Sequence, residues 1–211
     1  MKKEFENRIY SSLIIIPITL FFIIQGSIFL IFFLSLFFLV TCYEWFKMSK
    51  KNSLMKLFGA ILLFFSFYSA FYIRENSGLD FFIFIILVCI FTDIGGYLFG
   101  KIFKGPRLIS ISPNKTYAGV IGGFLLSLIA GLIYTQYISS EILVTVSLKL
   151  LMGIFFISLI SQIGDLIISY FKRKAKLKDT GKILPGHGGL LDRVDGLIFV
   201  MPTIYLSKFI I

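Results

Sequence analysis

Between Ser169 and Asp195 the chain gathers Ser169, Lys172, Arg173, Lys178, Asp179, Gly181, Lys182, Pro185, Gly186, His187, Gly188, Gly189, Asp192, Arg193 and Asp195. Cations and backbone N–H groups bind phosphate, and grouped carboxylates hold a divalent metal. Asp192 and Asp195 stand at i, i+3 and share a face if the segment is helical. With Asp165 they make a candidate carboxylate cluster for Mg²⁺, which prefers oxygen ligands and keeps waters and substrate phosphates. Soft ligands are absent from the segment, which argues against zinc. His187 has no second His or Cys near it in sequence. It suits a hydrogen bond to phosphate, or the ordering of its loop, better than metal ligation. The glycines beside it permit positive φ and close backbone approach. A lysine run alone would read as a juxtamembrane patch, but a patch does not explain the glycines, the histidine and the carboxylates.

Further polar residues stand where lipid is expected, and ionisable residues in spans are usually functional. Asp93, Gly96, Tyr97 and Gly100 fall at three- and four-residue steps and share one helix face. Ser161, Asp165, Ser169 and Lys172 do the same. The bland alternative is helix–helix hydrogen bonding or a simple carboxylate–lysine pair. Upstream, a Ser112-Pro113-Asn114 turn is expected to precede Lys115, Thr116 and the start of span five. Free N–H groups and the positive dipole end there offer an anion site. An ordinary capped helix with flanking lysines is the alternative. Glu44, beside Trp45, reads as an interfacial anchor rather than a catalytic group. Cys42 and Cys89 read as small buried hydrophobes, since two lone cysteines in apolar stretches make neither a disulfide framework nor a metal cluster.

The elements that must position these residues are apolar. The chain of 211 residues is 57% hydrophobic and holds 26 Phe. Soluble domains are roughly 45–50% apolar, and the mean hydropathy here is +0.93. The expected fold is all-α, a polytopic membrane bundle of about seven helices. The seven candidate spans are 9–25, 27–43, 54–73, 79–100, 117–137, 142–171 and 196–211. The first, second and last are short, and the sixth is long enough for two helices in sequence. A single membrane domain, 1–211, is expected, with N-terminal spans over 1–78 and catalytic helices and loops over 79–211. Pro17 interrupts the first apolar stretch and no small-residue cleavage site follows, so the first span is expected to be retained. Lys and Arg cluster before span one and after spans two, four and six, which predicts a cytoplasmic N-terminus. Arg74 and Lys208 fall on the other side. The net charge of +10 is then a cytoplasmic-face charge that attracts anionic head groups and nucleotides.

The segment 169–195 resembles the C-terminal signature of the phosphatidate cytidylyltransferases, also called CDP-diacylglycerol synthases. Ser169, Lys172, Arg173, Lys178, Asp179, Gly181, Leu184, Pro185, His187, Gly188, Gly189, Asp192, Arg193 and Asp195 carry the resemblance. It extends upstream to 93–101, to Ser112-Pro113-Asn114-Lys115-Thr116 and to Ser161-Gln162-Ile163-Gly164-Asp165. Spans one to three match only in being apolar. Ala118 stands where the family often carries Glu, which leaves no carboxylate at that point. The chain is also short, so some N-terminal spans of longer members are expected to be absent.

The resemblance implies transfer of CMP from CTP to phosphatidate, giving CDP-diacylglycerol and pyrophosphate for phospholipid biosynthesis. It implies Mg²⁺ as cofactor, with a second, monovalent cation as a further candidate. It also implies a homodimer in the inner (plasma) membrane with the site facing the cytoplasm. Nucleic acid is not an expected partner. The nucleophile is a lipid phosphate oxygen that is already anionic, so positioning and electrostatics carry the reaction. Asp165 and Asp192 are the leading metal ligands, completed by Asp195 or Asp93. Asp165, Asp192, Asp195, Lys178 and His187 form the catalytic set. Lys115, Thr116, Ser169, Lys172, Arg173, Gly188, Gly189 and Arg193 are the substrate-binding set. The rivals are a related CTP-dependent lipid transferase, a polyprenol kinase, and a cation-coupled transporter. The transporter gives no reason for the cytoplasmic segment, and no paired broken helices repeat along the chain.

Overall fold

A computed structural model describes residues 2–50, 52–109, 112–138, 147–181, 183, 186 and 188–207; for 2–12, 109 and 112–114 it describes the backbone alone. The described residues form α1 (Lys2–Gln25), α2 (Ser27–Ser49), α3 (Ser53–Ser77), α4 (Leu79–Phe103), β1 (Arg107–Ile109), β2 (Ser112–Thr116), α5 (Tyr117–Ile138), α6 (Leu148–Lys174), α7 (Leu191–Val194) and α8 (Leu197–Ser207). Helices α2 to α6 are each long and apolar enough to cross a membrane, while the apolar stretches 13–25 and 197–207 are shorter. This is an integral membrane protein of helical construction. Among the described residues, five of the seven expected spans are helices both long and apolar enough to cross, and residues 208–211 of the last expected span lie outside the described residues. The sixth is one helix from Leu148, and residues 142–146, expected at its start, lie outside the described residues.

The chain divides into two compact units, one of residues 1–79 and 171–211, the other of 80–170. The structure draws the limits of these units at 79 and 170. It groups the C-terminal segment with the N-terminal helices.

In the first unit, short-range chemistry sets the helix ends. Gly26, at φ +66°, is the whole connection between α1 and α2. Arg74 Nε and Nη2 donate to the Ile23 and Ile24 carbonyls, each at 2.8 Å. Glu75 Oε1 accepts from the Ser27 N–H at 2.8 Å. Two neighbouring side chains of α3 thus occupy carbonyls that end one helix and an N–H that begins the next, groups no helix can satisfy internally. Asn52 caps α3 by accepting from the Met55 N–H. Trp45, 1% exposed, lies over Gly59, where an added Cβ would collide with the indole. Its Nε1 donates to the Met55 carbonyl at 2.8 Å.

Pro202 sits inside α8 and cannot donate to the Ile198 carbonyl one turn back. Ser66 Oγ of α3 reaches that carbonyl at 2.5 Å and shares its one proton between it and the Leu62 carbonyl, 2.7 Å away. Tyr205 packs edge-on against Phe65, Tyr68 and Tyr72 of α3. Helix α6 ends in a Schellman motif: Leu177 N–H donates to Lys172 C=O, Lys176 N–H to Arg173 C=O, and Lys176 takes φ +59°.

In the second unit, α4 and α5 meet through small residues. A Cβ on Gly95 would strike the Gly122 backbone, and one on Gly119 would come within 2.7 Å of the Gly96 carbonyl. Gly96 and Gly100, expected to admit another backbone or a ligand, face the start of α5. Such small-residue seams let membrane helices approach closely. Thr92 Oγ1 and Ser158 Oγ, both buried, lie 2.8 Å apart and tie α4 to α6. One element departs from an all-α fold. Residues 107–109 and 112–116 pair as an antiparallel hairpin, Arg107 opposite Thr116 and Ile109 opposite Ser112. Lys115 and Thr116 therefore end a strand, and α5 begins directly after them, at the residue where span five is expected to start.

Candidate active site

Within the second unit, a cavity of about 240 Å³ is lined by Asp93, Lys115, Thr116, Gln162 and Asp165, from three segments, with Thr92 and Tyr97 beside them. Each is placed by a different device. Asp93 lies one residue beyond Thr92, whose hydroxyl fixes α4 to α6. Asp165 lies one turn after Ser161 on α6, and its Oδ1 accepts from Ser169 Oγ at 3.3 Å. Its Oδ2 pairs with the Lys115 ammonium, delivered by the end of β2. Both partners are partly covered, with side-chain exposures of 26% and 29%. Four of these five residues are among the expected site residues. Gln162 figured there only as part of a signature, since an amide in an apolar helix has a ready alternative use in helix–helix hydrogen bonding. Here it also reaches the Ser158 hydroxyl at 3.4 Å.

The free N–H groups expected at the start of α5 are partly taken. Thr116 Oγ1 accepts from the Gly119 N–H at 3.1 Å, a helix cap, and the Tyr117 N–H donates to the Pro106 carbonyl at 3.2 Å. Lys115 and the Thr116 side chain, not a bare helix end, are what this region presents to the cavity.

Among the described residues, the first unit holds Lys172, Gly189 and Asp192 in a tied loop. Asp192 Oδ1 accepts from Lys172 Nζ at 2.8 Å; Oδ2 accepts from the Thr180 N–H at 2.8 Å and the Gly189 N–H at 3.1 Å. Lys172 and Asp192 keep only 12% and 8% of their side-chain surface exposed. Gly189, expected to turn its N–H toward phosphate, gives it to Asp192. Gly188 takes φ +87°, a conformation that favours glycine. Arg173 Nη1 donates to the Leu177 carbonyl at 3.0 Å. Lys178, Asp179 and Arg193 are exposed, while Asp195 is buried at 8%. Lys182, Leu184, Pro185, His187 and Lys208 lie outside the described residues.

Glu44, read from sequence as an interfacial anchor, is 1% exposed. Its Oε1 accepts from the Leu190 N–H at 3.1 Å, and its Oε2 from the Leu191 N–H at 2.8 Å and Thr180 Oγ1 at 3.0 Å. No motif in the sequence links Glu44 to a loop more than a hundred residues away. Its position between Cys42 and Trp45 at a span's end was the only signal.

The carboxylates divide between the units: Asp93 and Asp165 line the cavity of one, and Asp192 and Asp195 belong to the other. Among the described residues, no three His, Cys, Asp or Glu side chains gather into a metal cluster. The cavity's donors are carboxylate, amide and hydroxyl oxygens, a hard set that suits Mg²⁺ far better than zinc.

A profile of the Cytidylyltransferase family matches residues 53–210. The chain belongs to that family. The match takes in the cavity of the second unit and the tied loop of the first. Among curated cytidylyltransferases, the phosphatidate cytidylyltransferase of Staphylococcus aureus (strain COL) is 43% identical over 136 residues, which cover 64% of this chain and 51% of the relative. Those of Staphylococcus haemolyticus and Staphylococcus epidermidis are 42% and 41% identical over 135 residues, with the same coverage. The chain thus spans about half the length of the curated cytidylyltransferases it matches.

Proposed function

We propose that this cytidylyltransferase-family protein transfers CMP from CTP to phosphatidate, giving CDP-diacylglycerol and pyrophosphate. The observation that carries this reading is the cavity in which Lys115 pairs with Asp165, beside Asp93 and the Thr116 hydroxyl. It combines a cation for phosphate with hard oxygen donors for a metal. The staphylococcal relatives bear the corresponding name and share over two-fifths of the matched residues.

In the proposed reaction a phosphate oxygen of phosphatidate attacks the α-phosphorus of CTP. The bond to the bridging oxygen of the β-phosphate breaks, and pyrophosphate leaves with the electron pair. No protein nucleophile is required, because the attacking oxygen is already an anion. Asp165 and Asp93 would hold Mg²⁺, which supplies charge neutralisation on the nucleotide phosphates when bound. Lys115 neutralises phosphate charge, and its pairing with Asp165 holds the ammonium in place before substrate arrives. Thr116 offers a hydroxyl at the same wall. Lys172, Arg173, Lys178 and Arg193 are the proposed further phosphate contacts, and Asp192 and Asp195 the proposed supporting carboxylates. Asp192 already receives three hydrogen bonds, so any metal contact there uses its remaining lone pair.

The proposed setting is a multi-pass plasma-membrane protein, as a homodimer, with a cytoplasmic N-terminus and seven crossings. Lys and Arg distribution supports that orientation, and it suits a soluble nucleotide meeting a lipid whose acyl chains stay in the bilayer. The test is turnover of purified protein in detergent with phosphatidate and CTP, with and without Mg²⁺. Accumulation of CDP-diacylglycerol that requires Mg²⁺ supports the reading. Release of CDP with a phosphorylated lipid would replace it with a kinase.

A further inference from the structure

We infer that Glu44 is a positioning residue for the reaction, clamping both ends of the loop 180–191 by accepting from Thr180 at one end and from Leu190 and Leu191 at the other. This rests on the CMP-transfer reading, and it concerns a residue outside the signature segments.

Three donors converge on one carboxylate that is 1% exposed. A buried backbone N–H left without an acceptor is costly, so the side chain at 44 must accept on both oxygens. A carboxylate has only acceptor sites, whereas an amide of the same shape presents N–H donors on one side. Whichever way Gln turned, its amide nitrogen would face a backbone N–H. Among the described residues no Lys or Arg forms a salt bridge with Glu44. The loop's own N–H and O–H groups meet its charge.

The loop is shaped around this contact. A Cβ on Gly181 would collide with Glu44 Oε1; one on Gly189 would collide with the Thr180 hydroxyl and come within 2.7 Å of Glu44 Oε2. Thr180 links two clamps, since its hydroxyl goes to Glu44 and its N–H to Asp192. Asp192 in turn holds Lys172. Glu44 therefore fixes the frame that carries Lys172, Lys178, Asp192 and Arg193 without itself touching substrate.

The test uses the full chain in detergent, with Glu44→Gln and Glu44→Asp beside wild type. Readouts are kcat with phosphatidate and CTP, thermal unfolding, and the rate at which trypsin cuts within residues 172–178. Misplaced catalytic groups lower rates by up to about 100-fold. The expected order of kcat is Glu, then Asp, then Gln, because acceptor chemistry outweighs size. Trypsin should cut the Gln variant faster, and its unfolding midpoint should fall below wild type, because a buried N–H loses its acceptor. A role in packing alone predicts the reverse order, since Gln keeps the volume and Asp does not. Gln equal to or above Asp in kcat would overturn the inference. If wild type makes no CDP-diacylglycerol, the CMP-transfer reading fails on its own. The trypsin comparison then decides the clamp: equal cutting of wild type and Gln variant overturns it, and faster cutting of the variant supports it.

Discussion

Asp165 receives a lysine on one oxygen and a serine hydroxyl on the other, in a cavity it shares with Asp93. That arrangement makes it the most exacting single position in the account. Asp165→Asn should abolish most turnover, by about 100-fold or more, while leaving the thermal midpoint close to wild type, because the side chain is partly exposed. Asp192→Asn should behave differently. Its carboxylate is buried and takes three donors, and removing one partner of a buried pair costs about 3–5 kcal/mol. Loss of activity there should come with a clearly lowered midpoint in a thermal shift measurement. An unchanged midpoint would contradict the tied-loop description. The types of these residues were legible in the sequence, since carboxylates, cations and glycines in a greasy chain have few other uses. Their partners were not. Asp192 was readable as a carboxylate near a metal, but nothing in its spacing told that Lys172, Thr180 and Gly189 would occupy it. Glu44 was misjudged for the same reason, because its meaning lies in contacts made across more than a hundred residues.

At the scale of elements, a proline in α8 and a serine in α3 solve one problem together. Pro202 leaves the Ile198 carbonyl without its helical donor, and the Ser66 hydroxyl supplies one. Ser66→Ala should lower stability by about 1–3 kcal/mol. In a Pro202→Ala background, which restores the helical N–H, the same substitution should cost much less. Equal losses in both backgrounds, read from thermal unfolding in one detergent, would break the link. Most helices could be located from apolar runs of span length, but α1 begins at Lys2 rather than 9 and α2 runs to Ser49 rather than 43, because polar residues continue both helices past the apolar run. The strand pair 107–109 and 112–116 escaped because Ser112-Pro113-Asn114 carries turn chemistry, and a proline is admitted to a strand only at an edge. Both strands of this sheet are edges. Gly96 and Gly100 of α4 signalled close approach, but sequence left open whether another backbone or a ligand would fill the space. It is a helix.

For the whole molecule, an apolar composition and basic loops fix the class, and the family match covers residues 53–210. The positive-inside pattern predicts the sidedness. Single cysteines introduced at Lys56 and Lys104 should be blocked by a membrane-impermeant maleimide only from the cytoplasmic side, and one at Asn76 only from the other. Cys42 and Cys89 are buried and should contribute little background. Labelling of all three from one side would refute the proposed topology. The central claim concerns which bond breaks. CTP labelled at the α-phosphate and, separately, at the γ-phosphate should be offered with phosphatidate and Mg²⁺ to purified wild-type protein and Asp165→Asn. Lipid-bound label is expected from the α-position alone, with γ-label appearing in pyrophosphate, and neither with the variant. Label passing from the γ-position into lipid, or α-label reaching lipid equally well with Asp165→Asn, would contradict it.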